Sequence, residues 1–450
     1  MSSPIVSTPS RHTPVESRSV EAPVAASFSS SALEANSPLQ YLEQMLGEAV
    51  RAGASDIHFE PMARRFRIRL RVDGELHEHA EVPVAWRDML VARLKVLAHL
   101  DISEKRLPQD GRMLWREAGE PVECRVSTLP TLYGEKLVVR LLDGAKVPLS
   151  LESLGYTPMQ YQALARAIGR PHGMILLTGP TGSGKTVSLY SCLRRLNDTT
   201  RNIVTIEDPV EIRLPGVTQV NLNERAGLDF STALRAFLRQ DPDVLVIGEI
   251  RDAQTASIAV QAAQTGHLVF ATVHANDASS TVARLLDLGV APFNLSSALL
   301  LVSAQRLVRR RCPAGCDVAT PRGDSSANAT SVDRRIGRSD FAGSADASKE
   351  TPSGSREIAE HGACGEDRDE PQRRHTCMRC HGTGFAGRIG VFQVMPISAT
   401  QAVNIAQSRS PHELAAQAAS EGVMTLREAG LWHAAVGTIC QEDVDATTPA

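Results

Sequence analysis

Hydrophobic spacing changes several times along the chain. From Ser37, the residues Leu39, Leu42, Leu46 and Ala49 recur at helical spacing, and Ser37-Pro38 suits a cap and first helical position. At "RFRIRLRVDGEL" the period becomes two. Phe66, Ile68, Leu70 and Val72 share one strand face and Arg65, Arg67, Arg69 and Arg71 the other, with Arg65 and Arg67 read as a solvated face. Asp73-Gly74 predicts a tight hairpin turn. With a helix at "LVARLKVLAHLDI" and strands at "ECRVSTLP" and "KLVVRLLD", a small α+β domain is expected over 37–147.

Over 148–307 the apolar runs "GMILLT", "NIVTIED" and "DVLVIGEI" alternate with helical stretches. That order predicts an α/β domain whose parallel sheet is covered on both faces. Residues 1–36 are rich in Ser, Pro, Ala and Val without a period, and residues 317–374 are poor in large apolar groups. Both are expected to be disordered, the second as an insertion within a cysteine-bearing element over 308–394. The remainder, 395–450, reads as helical. Ser410/Glu413 and Thr425/Glu428 form capping boxes, and Gly437 fits a helix stop.

Composition narrows the class. A length of 450 residues suggests about three domains, and 42% hydrophobic with 22% charged residues suits a soluble globular protein. No apolar run is long enough to span a membrane, and the N-terminus lacks the core of a signal peptide, so a cytosolic protein is expected. A net charge of -3, with no basic stripe interleaved with aromatics, gives no reason to expect nucleic-acid binding. Eight cysteines are too sparse for a disulfide scaffold.

The chemistry concentrates at "GPTGSGKT". Gly179, Pro180, Thr181, Gly182, Ser183, Gly184, Lys185 and Thr186 fit G-x-x-x-x-G-K-[ST] in full, between an apolar strand and a helix-compatible run. The glycines let backbone N–H groups wrap phosphates, Lys185 reaches the β/γ-phosphates, and the Thr186 hydroxyl is expected to hold Mg²⁺. Glu207, Asp208 and Glu211 stand at the end of a predicted strand, where carboxylates can position Mg²⁺ through its waters. In "DVLVIGEIRD", Gly248 stands where such strands usually carry a metal-holding Asp, and Glu249 is the candidate general base. His267 and His274 flank another predicted strand as candidate γ-phosphate sensors.

Cys312 and Cys316 are separated by three residues, Cys377 and Cys380 by two, both zinc-ligand spacings. Four thiolates would close a structural Zn²⁺ site, with His361, Cys364, His375 and His381 as spare ligands. Cys124, Cys192 and Cys440 read as packed thiols.

Taken together, the phosphate loop, "IEDPVE", "LRQDPDVLVIGEIRD", "TGHLV" and the paired histidines resemble the secretion-superfamily ATPases. These drive type II secretion, type IV pilus extension and pilus retraction. "ASDIHFEP", "RVDGEL", "KRLPQDGR" and "RVSTLPTLYGEKLVVRLLD" resemble the family's second N-terminal domain, and "CPAGC…CMRC…GFAGRIGVFQVMPIS" its metal-binding element. The resemblance implies a RecA-like P-loop NTPase domain preceded by a small PAS-like α+β domain and followed by a cysteine-rich metal element and a helical tail.

It also implies a homo-hexamer, peripheral at the inner membrane through a platform protein, with ATP bound between the two domains. Arg125 and Arg140 match the N-terminal-domain arginines that approach the phosphates, and Arg235 and Arg239 match arginines at or beside the site. "GKTVSLYSCL" and "LPGVTQVNLNERAG" look most like the pilus-assembly branch, and the type II secretion branch is the alternative. A nucleic-acid translocase and a non-hydrolysing scaffold are the remaining readings. The chain departs from the family in its long insertion, in "HAND" for the commoner "HTND", and in lacking a counterpart of the first N-terminal domain, which docks to a membrane-associated partner.

Overall fold

The computed structural model describes residues 37–116, 121–142, 149–316, 377, 380 and 383–448. The segments 1–36 and 317–374, and the spare ligands His361, Cys364, His375 and His381, lie outside the described residues.

The first unit runs α1 (Pro38–Arg51), β1 (Asp56–Pro61), β2 (Phe66–Val72), β3 (Glu75–Val82), α2 (Arg87–Leu97), β4 (Gln109–Trp115), β5 (Val122–Thr131) and β6 (Gly134–Leu142). Its six strands form an antiparallel sheet in the order β3-β2-β1-β6-β5-β4. Ser37 caps α1 by accepting from the Gln40 N–H at 3.3 Å. Leu42, Leu46 and Ala49 are buried as their spacing predicts, together with Tyr41 and Met45. Leu39 is 49% exposed. Side chains tilt toward a helix's N-terminus, which carries a first-turn residue past the core. Phe66, Ile68 and Leu70 pack into the core that α1 and α2 cover. Asp73 (φ 50°) and Gly74 (φ 93°) make the predicted turn.

The other strand face differs from the expectation. Arg67 is not solvated: it, Arg69 and Lys136 surround the buried Glu60 carboxylate at 2.9, 2.8 and 3.0 Å. Glu60 comes from β1, whose pairing with both β2 and β6 brings the three cations to it.

The second unit begins with α3 (Pro158–Ile168), β7 (Gly173–Thr178), α4 (Lys185–Leu196), β8 (Ile203–Glu207), β9 (Thr218–Asn221), α5 (Phe230–Phe237), β10 (Val244–Ile247) and α6 (Ala253–Gln264). It continues through β11 (Leu268–Val273), α7 (Ala278–Asp287), α8 (Pro292–Ala298), β12 (Leu299–Arg311), β13 (Phe385–Pro396) and α9 (Ala399–Ala406). The tail adds α10 (Pro411–Ser420), α11 (Leu426–Ala435) and α12 (Gln441–Thr447), with both expected capping boxes present. Seven strands lie in the order β13-β12-β7-β11-β10-β8-β9. Every neighbouring pair is parallel except β12 with β13. Along β7, Met174 and Leu176 enter one core cluster and Ile175 and Leu177 the other, so apolar layers cover both faces. β12 runs through position 307, where the sequence reading ended the α/β core, and its antiparallel partner is supplied from beyond the insertion.

The two units touch at the β2–β3 turn. Glu75 meets Arg309 of β12 at 2.6 Å, and the Asp73 carboxylate accepts from the Gly387 N–H at 2.9 Å. Arg309 also bonds Asp443 at 2.6 Å and lies 4.0 Å from the Phe385 ring centre.

Candidate active site

β7, β8, β10 and β11 are parallel, so their carboxyl ends form one edge, where ligands of open α/β sheets bind. The phosphate loop leaves β7 there and leads into α4. Gly179, Gly182 and Gly184 have φ values of 148°, 79° and 85°, which side-chain-bearing residues rarely adopt. A Cβ on Gly179 would also lie 2.6 Å from the Gln305 carbonyl oxygen and 2.7 Å from Ser183 Oγ. Gln305 Nε2 donates to the Ser183 carbonyl at 2.6 Å, pinning the loop from β12. Lys185 Nζ donates to the carbonyls of Gly179 (2.7 Å) and Pro180 (3.1 Å), across the loop's mouth. Burial lowers the Lys185 pKa and the Arg306 charge lowers it further, against Glu249 and Glu211. Thr186 is half-buried in the first turn of α4.

Glu249 stands two residues past β10. Its carboxylate lies 3.4 Å from His274 Nε2 and accepts from Arg251. The Ile250 N–H donates to the Thr272 carbonyl at 2.9 Å, and the Thr272 hydroxyl donates back to the Gly248 carbonyl, which fixes the segment against β11. Asp208 is exposed, 3.8 Å from Arg251, and Glu211 is exposed within charge range of Lys185. Glu207 does not join them. It is 4% exposed, and its carboxylate accepts from the Tyr190 hydroxyl and from Thr205 Oγ1 at 2.6 Å. It anchors α4 to β8 from the last residue of the strand, with its carboxylate bonded to these hydroxyls.

Three further expectations are not met within one chain. His267 precedes β11 while His274 follows it, so at about 3.3 Å per residue the two stand ~20 Å apart, at opposite sheet edges. His267 Nδ1 instead pairs with the Ala262 carbonyl at 3.0 Å. Arg235 faces the Gln254 amide on α6. Arg239 donates to the Arg235 carbonyl at 2.9 Å, beside the Gln240–Asp241 carbonyls that bond Asn202 at the amino end of β8. Among the described residues, neither arginine forms a hydrogen bond or ion pair with the phosphate loop.

Arg125 and Arg140 are cross-strand partners on β5 and β6, and Arg112 on β4 pairs with Arg125. The three therefore share one sheet face. They line a cleft of about 470 Å³ that Pro209, next to Asp208, closes from the other unit. Arg140 Nε donates to Asp56 at 2.8 Å, whereas Arg125 Nε is buried and bonds to nothing among the described residues.

Cys312, Cys316, Cys377 and Cys380 come together with their sulfur atoms within 4.8 Å of one another. Cys312 Sγ and Cys377 Sγ are 3.8 Å apart. Tetrahedral zinc with Zn–S near 2.3 Å requires S···S separations of about 3.8 Å, so the donor set fits a metal ion of that kind.

Gln305 and Arg306 are residues that sequence reasoning missed. In "SAQRLVRRR" they sit amid apolar and basic residues at a presumed domain end, and only the parallel register of β12 with β7 brings them level with the loop. That register was not legible from local pattern.

A phosphate loop on a parallel sheet, with a glutamate and a histidine at the neighbouring strand ends, defines a P-loop ATPase. Comparison with known proteins carries this one step further. The family described as "Type II/IV secretion system protein" matches residues 32–446. A type IV pilus assembly ATPase, PilB, of Pseudomonas aeruginosa is 43% identical over 414 residues, covering 91% of this chain and 67% of that protein. A type II secretion system protein E of Klebsiella pneumoniae is 43% identical over 407 residues, covering 90% and 75%. Among solved structures, the Legionella pneumophila ATPase DotB superposes with a TM-score of 0.62 at 18% identity, covering 91% of this chain and 95% of that one. The chain belongs to the type II/IV secretion ATPase family. No helix among the described residues is long and apolar enough to cross a membrane.

Proposed function

We propose that this chain is the ATPase motor of type IV pilus assembly, working as a hexamer against an inner-membrane platform protein. The observation that carries the motor reading is a site in two halves: a phosphate loop on one unit, and on the other a row of arginines lining the cleft closed by Pro209. In this reading Lys185 and the N–H groups of residues 179–186 bind the β- and γ-phosphates, and the Thr186 hydroxyl holds Mg²⁺. Glu249, steadied by Arg251 and His274, takes the proton from the attacking water, and His274 also senses the γ-phosphate. Arg125 and Arg140 neutralise charge on the transferring phosphoryl group when the units close. Binding ATP favours the closed arrangement and hydrolysis removes that preference, so the product used by the machine is the domain motion. Cys312, Cys316, Cys377 and Cys380 would hold a structural zinc ion, which would tie together the ends of β12 and β13.

Glu249→Gln is expected to retain ATP binding while turnover falls about a thousandfold. Wild-type turnover in that variant would remove the base assignment, and Lys185→Ala is expected to lose binding and turnover together. The type II secretion reading has its own support in the 43% identity to a protein E over 75% of its length. Deleting the gene and scoring piliation against exoprotein export separates the two.

A further inference from the structure

β12 pairs in parallel with β7, and Ala304 lies opposite Thr178. The next two residues of β12 therefore stand where the phosphate loop departs. Side chains alternate across a strand, so Gln305 and Arg306 turn to opposite faces. Gln305 turns inward to the Ser183 carbonyl. Arg306 turns toward the segment after His274: Nη2 donates to the Asn276 carbonyl at 3.0 Å and Nη1 to its neighbour's carbonyl, Gln305, also at 3.0 Å.

Both acceptors are neutral. Asp277, the carboxylate whose charge acts on Arg306, is engaged in capping α7 through Ser280 N (2.7 Å) and Ser280 Oγ (2.8 Å), and among the described residues Arg306 forms no salt bridge. Arg306 is half-buried, and burial lowers its pKa. A half-buried guanidinium bonded only to neutral carbonyls is left without a counter-charge until an anion meets it. The guanidinium keeps Nε–H and one N–H on each Nη free of the two bonds above, a fork suited to phosphate oxygens.

We propose that Arg306 contacts the terminal phosphate of bound ATP in the same chain, as a second cation beside Lys185, and through its bond to Asn276 ties that contact to the turn bearing His274. The proposal rests on the ATP-binding reading of the loop, and its test separates the two. Fluorescent ATP and ADP analogues are titrated onto the full chain in wild type, Arg306→Met, Arg306→Lys and Lys185→Ala, with melting temperatures alongside. Arg306→Met is expected to weaken ATP about tenfold or more, the loss of one charge-assisted contact, and ADP much less. Arg306→Lys, which keeps the charge without the fork, is expected to fall between, with both melting as wild type does.

Arg306→Met binding ATP as tightly as wild type, while Lys185→Ala loses it, would overturn this proposal and leave the loop assignment standing. Equal loss of ATP and ADP with a lowered melting temperature would make Arg306 a structural tie and also overturn it. Failure of the wild type to bind ATP would overturn both.

Discussion

Glu60 is the residue on which the basic sheet face is organised. Burial raises its pKa, but hydrogen bonds from Arg69, Lys136 and Arg67 outweigh this and hold it down to about 2. Its folded pKa lies below the unfolded value of 4.5. The stabilisation is therefore fully present above about 4.5 and lost as pH falls from there toward 2. Glu60→Gln leaves three cations unbalanced and is expected to destabilise the chain by about 3 kcal/mol at pH 7. Urea unfolding at pH 7 and pH 3 checks this: the gap between variant and wild type should shrink at the lower pH, and a pH-independent gap would contradict the network account. Alternation alone revealed the arginines on one face but not their acceptor, because Glu60 reaches them only through long-range pairing of β1 with β2 and β6. The partner of Glu207 was hidden for a similar reason: Tyr190 lies on α4, outside any local window.

At the scale of elements, the phosphate loop was readable in full, because its glycines, lysine and threonine are consecutive and its flanks carry strand and helix patterns. The helix caps at Ser37, Ser410 and Thr425 were readable because a cap and its partner lie three residues apart. What was hidden was the strand end at which a residue sits. His267 and His274 look equivalent along the chain, yet only the second is at the carboxyl edge. Two predictions belong here. Gly179→Ala places a methyl against the Gln305 carbonyl and Ser183, so ATP binding should be lost with a wild-type far-UV spectrum; retained affinity would show the loop can give way. Removing metal from the four-cysteine cluster should loosen the hydrogen bonds Cys312 N–H to Gly384 (2.8 Å) and Arg311 N–H to Thr438 (2.9 Å). Amide exchange at Arg311 and Cys312 should then rise by at least tenfold on chelation, whereas unchanged protection would mean the thiols pack without needing an ion.

Across the whole molecule, the β2–β3 turn forms a latch with the end of β12 through Glu75–Arg309 and with the start of β13 through Asp73–Gly387. Asp73 and Glu75 touch no residue of the phosphate loop, so charge reversal at both should free the units from one another and leave ATP affinity unchanged. Spin labels on the two sheets should report a broadened distance distribution, and an unchanged distribution would place the coupling elsewhere. The central claim is that the ATP site is complete only when the basic face of the first sheet closes over the phosphate loop. Arg125, which lines the cleft and whose buried Nε has no hydrogen-bond partner among the described residues, is the residue that exposes this claim most directly. Steady-state turnover and ATP affinity of Arg125→Ala are the decisive pair: kcat should drop about a hundredfold or more with affinity within about threefold of wild type. A wild-type kcat in Arg125→Ala would contradict the account.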